Sequence, residues 1–216
     1  MQISIITAGW RKDGVENVFK SLAAQTYQEW EHIIVNDCSP QITHQNLLDW
    51  CKNDHRRHFI DLGVHTGYYG AFARNIGVMA AFTYFSERSR KNDRDFWIVF
   101  HDDDNYWYPD LLESMVKAHQ QNPKALMIGV NIEIRGKKNL EFKMIRENQL
   151  LSQRTDLGAW MYKKEVFDKY GYFQADLEHK ISYDWDFLKR LKNQIGEDKF
   201  FIIDGQLKLI FNHKRY

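Results

Sequence analysis

The sequence predicts an α/β fold in which a mainly parallel central sheet is flanked by helices. Short apolar runs of strand length alternate with longer segments of helical periodicity, which is typical of strand–helix–strand units. Polar and acidic residues directly follow two of these runs, at the end of the strand where open α/β sheets bind their ligands. No linker rich in proline, glycine or serine divides the 216 residues. We therefore expect one domain that spans residues 1–216.

The first half of the chain contains three strand–loop–helix units. "ISIIT" predicts the first strand, "EHIIVNDCS" the second strand with its polar end, and "HFIDLG" the third. Apolar residues at helical spacing follow each of them, and the third helix is expected from about Ala71 to Phe85. Three such units in succession favour parallel strands joined by helical crossovers.

A fourth unit carries three adjacent carboxylates. "FWIVF" predicts a buried strand, and Asp102, Asp103 and Asp104 follow it after one histidine. Side chains alternate along an extended chain, so we expect Asp102 and Asp104 on one side and Asp103 on the other. Pro109 then fits the first turn of the next helix, which leads to the strand "ALMIGVNIEIR".

The second half is less regular from about Gly136 onward. A polar, hairpin-like stretch precedes the apolar "LGAWMYKKEVF", a glycine turn, a helix around "YDWDFLKRLKNQI" and a final strand, "FFIIDGQLKLIFNH". The last of these segments predicts a strand that closes the chain.

Composition excludes several classes of partner. Thirty basic and twenty-nine acidic residues leave a net charge of +1, so nothing suggests a nucleic acid partner. The longest apolar runs are far below the ~20 residues of a membrane span, and the N-terminus shows no signal-peptide pattern. We expect a cytoplasmic protein with no integral membrane segment. Cys38 and Cys51 are too few for a disulfide framework and lack zinc-site spacing, so we expect two buried thiols.

The acidic residues at the strand ends suit a metal–diphosphate. Asp37 follows the second strand and the triplet follows the fourth, so both lie at the ligand-binding edge of the expected sheet. Mg²⁺ and Mn²⁺ prefer oxygen ligands, and Mg²⁺ is usually held by one or two carboxylates plus substrate phosphates. A bound cation would also offset the repulsion within the triplet. The alternative, that the triplet only caps the next helix, requires one carboxylate rather than three.

Five motifs, in order, resemble the family 2 glycosyltransferases of the GT-A fold over nearly the whole chain. They are "SIIT", "SLAAQTYQEWEHIIVNDCS", "GAFARNIGVMAA", "FHDDDNYWYPDLLESM", and "LGAWMYKKEVFDKYGYF" with "SYDWDFLKRL". The resemblance implies a metal-dependent, inverting transferase of the hexosyltransferase type, which moves a sugar from a nucleotide sugar, with a UDP-sugar favoured, to an acceptor hydroxyl. It implies a role in polysaccharide or glycoconjugate synthesis. Residues 1–108 would form the nucleotide-sugar-binding half and residues 109–216 the acceptor half.

The resemblance also implies roles on the donor side. Asp104 would bind Mn²⁺ or Mg²⁺ directly, and Asp102 would assist through the ribose or a metal-bound water. Asp37 would accept a hydrogen bond from the nucleotide base. The other implied donor-side residues are Thr7 and Ala8 beneath the base, Arg74 near the diphosphate, and Asp103, which has no specific contact assigned. His213 could complete the metal site, and Lys214 and Arg215 could meet the diphosphate, with a solvated tail as the alternative.

On the acceptor side, Asp184 aligns with the family's general base. Asp186 competes for that role; the two would be about 200° apart around a helix, so only one can face the site. An N-cap role for Asp184 is the structural alternative. Trp160 and Tyr183 are expected on the acceptor side, because aromatic rings offer an apolar plane with a polar edge. Core packing is the alternative for Trp160, as it is for Trp107 and most of the seven tryptophans.

The chain departs from the family pattern at three points. Asn36 stands where many relatives have an acidic residue, "TAGWRK" replaces the usual Pro-x-Tyr-Asn, and Tyr183 replaces a glutamate. These changes bear on the nucleotide and acceptor contacts rather than on the metal or the base. Two alternative functions stay open at this point. One is a sugar nucleotidyltransferase, which should carry a glycine-rich basic loop after the first strand, a pattern that "TAGWRKDG" fits poorly. The other is a non-catalytic nucleotide- or sugar-binding module, which would not need a base such as Asp184. Peripheral attachment at the inner face of the membrane is compatible with the sequence.

Overall fold

A computed structural model describes residues 1–88, 95–135, 140–141, 156–174 and 183–212. In that part of the chain, the helices are α1 (Lys12–Ala23), α2 (His44–Lys52), α3 (Ala71–Arg88), α4 (Leu111–Gln121), α5 (Lys164–Tyr170) and α6 (Tyr183–Gln194). The strands are β1 (Gln2–Gly9), β2 (Trp30–Asn36), β3 (Arg57–Asp61), β4 (Phe96–Phe100), β5 (Asn105–Trp107), β6 (Met127–Arg135), β7 (Leu140–Glu141), β8 (Trp160–Lys163) and β9 (Phe200–Asn212). They form one sheet in the order β3-β2-β1-β4-β8-β6-β9-β5, and β7 pairs with β6.

The first four strands form a parallel unit whose carboxyl ends are in register. β1 pairs in parallel with both β2 and β4, and β2 pairs in parallel with β3. The register places Gly9 opposite Asn36 and Asn36 opposite Asp61. The Asn36 side-chain amide donates to Asp61 across 2.8 Å, which ties the two strand ends together. This edge is where the sequence predicted ligand binding.

The predicted α/β fold is confirmed, with a change of direction in the middle of the sheet. β8 lies between β4 and β6 and is antiparallel to both, whereas β6 and β9 are parallel over most of their length. Most paired positions in the sheet are therefore parallel. β8 and the three-residue β5 had no predicted counterpart.

Strands β2 and β4 are buried on both faces. All seven residues of β2 and all five of β4 are buried. Ile3, Ile5 and Ile33 have no exposed surface, and each such side chain contributes about 1.5–3 kcal/mol when it is fully buried. This core holds the ends of β1, β2 and β4 in fixed positions beneath the candidate site.

The helices confirm most of the predicted positions. α3 begins at Ala71 as expected and continues to Arg88. α4 begins at Leu111, so Pro109 precedes the helix instead of lying in its first turn. None of the helices described here is long and apolar enough to span a membrane.

The expectation of two buried thiols was wrong. Cys38 is exposed, and it adopts φ = 56° in the loop after β2. Cys51 is half-buried in α2, and burial raises the pKa of its thiol to about 11. Neither thiol belongs to the sheet core.

Candidate active site

The end of β1 is tied to β4 and β2 by one buried hydroxyl. Oγ1 of Thr7 donates to the backbone oxygen of His101 at 2.7 Å and lies 2.9 Å from Nε2 of His32. Burial lowers the pKa of His101 to about 3 and holds the pKa of His32 well below its usual value. Both imidazoles are therefore neutral at physiological pH. Thr7 itself has no exposed surface, so its role is to hold the strand ends together beneath the site.

Asp37 directly follows β2, and each oxygen of its carboxylate contacts a neighbouring residue. Oδ1 accepts the backbone N–H of Thr66 at 2.7 Å, and Oδ2 lies 3.1 Å from Nδ1 of His65. The His65 ring in turn contacts the ring of Trp10 with centroids 4.7 Å apart. Trp10 is 39% exposed, so the ring that packs against His65 is accessible to solvent.

Ala8 supports the loop before α3. A Cβ built on Gly70 would lie 2.9 Å from Cβ of Ala8, and Gly70 has φ = 78°. The position therefore requires a glycine both for its backbone conformation and for the close approach. This packing places Ala8 next to the loop that contains Tyr69. Arg74 donates a hydrogen bond to the backbone oxygen of Tyr69.

Arg74, on the first turn of α3, holds Asp102. Its Nη1 donates to the backbone oxygen of Tyr69 at 2.8 Å, and its Nη2 donates to Oδ1 of Asp102 at 2.5 Å. Burial alone would lower the pKa of Arg74, but the negative charges of Asp102 and Asp184 outweigh that effect and raise it. The guanidinium is thus a fixed, buried cation beside the acidic residues.

The acidic triplet forms a turn, which corrects the expected alternation. The backbone N–H of Asn105 donates to the oxygen of Asp102 at 3.1 Å, so the chain reverses instead of staying extended. Asp102 faces Arg74, whereas Asp103 faces Arg11 on the loop before α1. Nη2 of Arg11 also lies 3.3 Å from Oδ2 of Asp104. Asp103 and Asp104 therefore share one arginine, although the sequence had predicted them on opposite sides.

Asp104 carries a pKa above its usual value. Burial is the main cause, and the neighbouring charges of Asp102 and Asp103 add to it, while Arg11 opposes the shift. The Asp104 side chain is still 27% exposed. It is the carboxylate of the triplet that solvent reaches most easily.

Asp184 joins this cluster from the first turn of α6. Burial raises the pKa of its carboxyl group, Arg74 lowers it, and Asp102 raises it again. Asp186, two residues later, instead interacts with Arg190 on the same helix. Of the two carboxylates, Asp184 is therefore the one whose charge interacts with Arg74 and Asp102.

Asp156 is a further carboxylate of the cluster, and sequence reasoning missed it. Its Oδ1 accepts the backbone N–H of Gly158 at 2.7 Å and the side-chain amide of Asn105 at 3.1 Å. Burial and the charges of Asp102 and Asp184 hold its pKa well above the usual value. The local signal was an aspartate two residues before a glycine in "TDLGAW", which indicates a short helical turn but no function.

The residues expected on the acceptor side have different surroundings. Tyr183 is 9% exposed and its ring meets Tyr68 edge-on, with centroids 5.4 Å apart. Trp160 is only 1% exposed, and a Cβ on Gly129 would lie 2.6 Å from its indole ring. The Trp160 side chain thus packs in the core instead of lining a cleft. His213, Lys214 and Arg215 lie outside the described residues.

The carboxylates of the triplet fit a divalent cation that arrives with phosphates. Among the residues whose positions are described, no group of three or more His, Cys, Asp or Glu side chains could hold a metal ion. A metal bound to a diphosphate requires only one or two protein carboxylates. Asp102 and Asp104 supply oxygen donors alone, as Mg²⁺ and Mn²⁺ prefer. Both are already in contact with cationic guanidinium groups, so the positions attract positive charge.

Two curated proteins are similar to this chain in sequence. TuaG of Bacillus subtilis (strain 168), named for teichuronic acid biosynthesis, is 31% identical over 116 residues, which are 53% of this chain and 40% of that protein. WcaA of Escherichia coli (strain K12), named for colanic acid biosynthesis, is 24% identical over 211 residues, which are 90% of this chain and 67% of that protein. Both are named as glycosyltransferases. The chain thus spans 40% of TuaG and about two thirds of WcaA.

A solved structure shows the same fold, and a family model matches most of the sequence. The mannosyltransferase PcManGT from Pyrobaculum calidifontis, in complex with GDP-Man and Mn²⁺, superposes with a TM-score of 0.67 at 14% identity. The match covers 98% of this chain and 56% of that one, and it shows the GT-A fold. The model described as Glycosyl transferase family 2 matches residues 5–179. The chain therefore belongs to glycosyltransferase family 2.

Proposed function

We propose that this protein is a metal-dependent, inverting glycosyltransferase that moves a sugar from a nucleotide-diphosphate sugar to an acceptor hydroxyl, with a UDP-sugar as the favoured donor. One observation carries the proposal. Arg74 donates to Asp102 and also interacts with the charge of Asp184, so the acidic turn and α6 meet at one buried cation. A direct displacement requires the group that binds the donor and the base to lie in one site, and a shared cation is consistent with that arrangement.

At the nucleotide end, Asp37 is the residue that accepts a hydrogen bond from the base. Among the described residues, Thr66 contacts one of its carboxylate oxygens and His65 the other, and an oxygen of this kind accepts more than one hydrogen bond. His65 contacts the carboxylate and the ring of Trp10 packs against His65, and such rings offer a face to a planar base. Thr7 and Ala8 form the support beneath.

At the phosphate end, Asp104 and Asp102 would hold Mn²⁺ or Mg²⁺, and Arg74 would lie near the diphosphate. The bound metal would stabilise the negative charge that gathers on the leaving diphosphate. Arg74 and Asp102 hold each other in place through a charge-assisted hydrogen bond. The protein thus presents oriented carboxylates without a large rearrangement. Asp103 belongs to the same turn, and His213 remains a further ligand to be tested.

Asp184 would act as the general base. The acceptor hydroxyl attacks the anomeric carbon from the side opposite the diphosphate, the new glycosidic bond forms as the bond to the diphosphate breaks, and the hydroxyl proton passes to the Asp184 carboxylate. A raised pKa makes a carboxylate a better proton acceptor, so the burial of Asp184 supports this role. Tyr183 directly precedes Asp184 and Asp186 follows it two residues later, and both would border the acceptor side.

The names of the two relatives support a polysaccharide or glycoconjugate acceptor. TuaG and WcaA are named for teichuronic acid and colanic acid biosynthesis. Both are proteins of which this chain matches only a part, so the acceptor is proposed at the level of chemical class. A carbohydrate hydroxyl is the nucleophile in either case.

A donor screen followed by three variants tests the function. Nucleotide sugars are screened for Mn²⁺-dependent hydrolysis or transfer, and the best donor is repeated with Asp104→Ala, Asp184→Asn and Asp186→Asn. We expect Asp104→Ala to lose Mn²⁺-dependent nucleotide binding, and Asp184→Asn to keep binding but lose roughly 10²- to 10⁴-fold in turnover. If Asp104→Ala binds the nucleotide in Mn²⁺ as well as wild type does, the metal assignment is wrong. A larger loss in Asp186→Asn than in Asp184→Asn would move the base to Asp186.

A further inference from the structure

Asp103 attaches the acidic turn to the start of α1 through several donors. Its Oδ2 accepts the backbone N–H groups of Trp10 and Arg11 at 3.1 and 2.7 Å, and its Oδ1 accepts Nε of Arg11 at 3.0 Å. Nη2 of Arg11 donates to the same Oδ1. Only 8% of the Asp103 side chain is exposed. All of these contacts lie within the protein, so none of them depends on a ligand.

The contact between Arg11 and Asp104 is weaker than the contacts with Asp103. Nη2 of Arg11 lies 3.3 Å from Oδ2 of Asp104, and the two side chains are 22% and 27% exposed. A partly solvated ion pair of this kind contributes at most about 1 kcal/mol. Arg11 is held on Asp103 by charge-assisted bonds from two of its nitrogens, which are stronger. A competing cation would therefore break the Asp104 contact first.

Arg11 is a cationic side chain in contact with Asp104. Nη2 of Arg11 lies 3.3 Å from Oδ2 of Asp104. The guanidinium of Arg74 instead donates to Asp102 and to the backbone oxygen of Tyr69. Among the residues that the structure describes, Arg11 is thus the arginine that holds the Asp104 carboxylate in the ligand-free protein.

We propose that Arg11 is a positioning residue that holds Asp104 in the ligand-free protein and yields it to the cation when a metal–diphosphate binds. This inference rests on the proposed function. Asp103 retains Arg11 at the site throughout, so the guanidinium released from Asp104 stays within reach of the donor's phosphate oxygens, which its planar fork suits. Arg11 therefore opposes the binding of a metal ion alone and favours the binding of the metal together with a diphosphate.

Mn²⁺ titrations with and without a nucleoside diphosphate test this pair of opposite effects. Free Mn²⁺ is followed by electron paramagnetic resonance in wild type, Arg11→Gln, Arg11→Lys and Lys20→Gln, first alone and then with saturating UDP or GDP. Lys20→Gln is the matched control, because Lys20 lies at the other end of α1, where its ammonium group donates to Asn17.

We expect Arg11→Gln to bind Mn²⁺ alone roughly two- to fivefold more tightly than wild type, since the competing ion pair is gone. With the nucleoside diphosphate present, the same variant should bind Mn²⁺ at least about fivefold more weakly, since the phosphates lose a cationic partner. Arg11→Lys should bind Mn²⁺ alone more tightly than wild type, because an ammonium group cannot span both carboxylates, yet stay near wild type with the diphosphate. Lys20→Gln should match wild type in both titrations.

A change in the same direction in both titrations, or no change in either, would overturn the inference and leave Arg11 with a purely structural role. That result would not touch the proposed function, provided that wild type binds Mn²⁺ with UDP or GDP. If wild type binds no Mn²⁺ with either nucleotide, the metal-dependent function fails and this inference fails with it. If Arg11→Gln does not fold, Arg11→Lys still tests the inference, because it should differ from wild type in the titration with Mn²⁺ alone and not in the titration with the diphosphate.

Discussion

Nη2 of Arg74 donates to Oδ1 of Asp102 across 2.5 Å, and the two side chains are only 8% and 16% exposed. Removal of one partner of a buried ion pair leaves an uncompensated charge and typically costs 3–5 kcal/mol. Here the loss would leave Asp102, Asp156 and Asp184 near one another without their shared cation. We expect Arg74→Met to reduce the free energy of unfolding at pH 7.5 by about 3 kcal/mol or more.

Urea unfolding of Arg74→Met and Arg56→Met measures this difference. Arg56 also pairs with an aspartate, Asp54, but its side chain is 25% exposed, so Arg56→Met should cost at most about 1 kcal/mol from the ion pair. Equal losses in the two variants would mean that the Arg74 pair contributes no more than a surface pair. The comparison therefore separates a buried cation of the site from an ordinary surface contact.

Gly14 lets the acidic turn rest on α1. A Cβ at this position would lie 2.2 Å from the backbone oxygen of Asp103, so either the helix or the turn must shift to admit it. We expect Gly14→Ala to lower the free energy of unfolding by about 1–3 kcal/mol, as overpacking does. It should also weaken Mn²⁺-dependent nucleotide binding, because the turn carries Asp102 and Asp104.

Gly63→Ala is the matched control, since a Cβ at Gly63 meets nothing within 4 Å. That substitution should keep wild-type stability or raise it slightly, because alanine restricts the unfolded chain. Both variants are compared by urea unfolding and by nucleotide titration in Mn²⁺. A Gly14→Ala protein with wild-type nucleotide affinity would show that the turn can move without consequence for the site.

Asp156 should make stability fall as pH rises. Burial holds its pKa well above the value in the unfolded chain, so the native state binds a proton that the unfolded state has already lost. Below the unfolded pKa, about 3.9, the group is protonated in both states and costs nothing. Above it, the penalty grows until the pH passes the native pKa. Asp156→Asn should therefore stabilise the protein at pH 7.5, by about 1 kcal/mol or more, and have little effect at pH 3.5.

Urea unfolding at those two pH values tests the Asp156 prediction, with Asp49→Asn as control. Asp49 lies on α2, where its carboxylate accepts a hydrogen bond from Gln45 on the helix surface. A surface substitution of this kind is expected to stay within about 0.5 kcal/mol of wild type. Destabilisation by Asp156→Asn at pH 7.5 would mean that the carboxylate is needed in its charged form.

The pH dependence of turnover should reflect Asp184. Burial raises the pKa of this carboxyl group, and a general base must be deprotonated to work, so activity should fall on the acid side at a pH above the ~3.9 of a free aspartate. The pH dependence of kcat/KM in wild type, with the best donor, measures this acid limb. An acid limb no higher than the ~3.9 of a free aspartate would exclude Asp184 as the titrating group.

The fold was predictable because its signals are local. β1 and β2 contain buried β-branched runs, and α3 has the expected apolar spacing from Ala71. β8 escaped prediction because Trp160–Lys163 is only four residues long, and its antiparallel pairing with β4 joins segments more than 60 positions apart. No local pattern specifies such a pairing.

The candidate site was predicted where a residue belongs to a motif and missed where its role comes from a distant contact. Asp102 and Arg74 lie in recognisable segments, and the structure brings them into contact. Arg11 is held by hydrogen bonds to Asp103, which lies 92 residues away, and the segment "TAGWRK" contains no pattern that predicts this contact. The alternation argument failed at Asp103 because the chain turns there. Contacts of this kind depend on how strand ends meet, which the sequence specifies only through the whole fold.

Asp37 offers a test of the nucleotide end that is independent of the metal. If its carboxylate accepts a hydrogen bond from the base, Asp37→Asn should weaken UDP binding in Mn²⁺ by roughly 10- to 100-fold, the range for a hydrogen bond to a charged group. Binding of inorganic diphosphate with Mn²⁺ should be unchanged, because that ligand has no base. Isothermal titration calorimetry measures both affinities.

Asp61→Asn is the control for Asp37, because Asp61 ends the neighbouring strand and bonds Asn36 and His44 through its own carboxylate. We expect a change in UDP affinity of less than about fivefold, since its pair with His44 is partly exposed. If Asp37→Asn weakens UDP and inorganic diphosphate equally, its effect comes through the loop that holds Thr66 and not through the base. If neither ligand is affected, the nucleotide base does not contact Asp37. The departures from the family pattern at Asn36 and "TAGWRK" would then indicate a nucleotide pocket that differs from the family's.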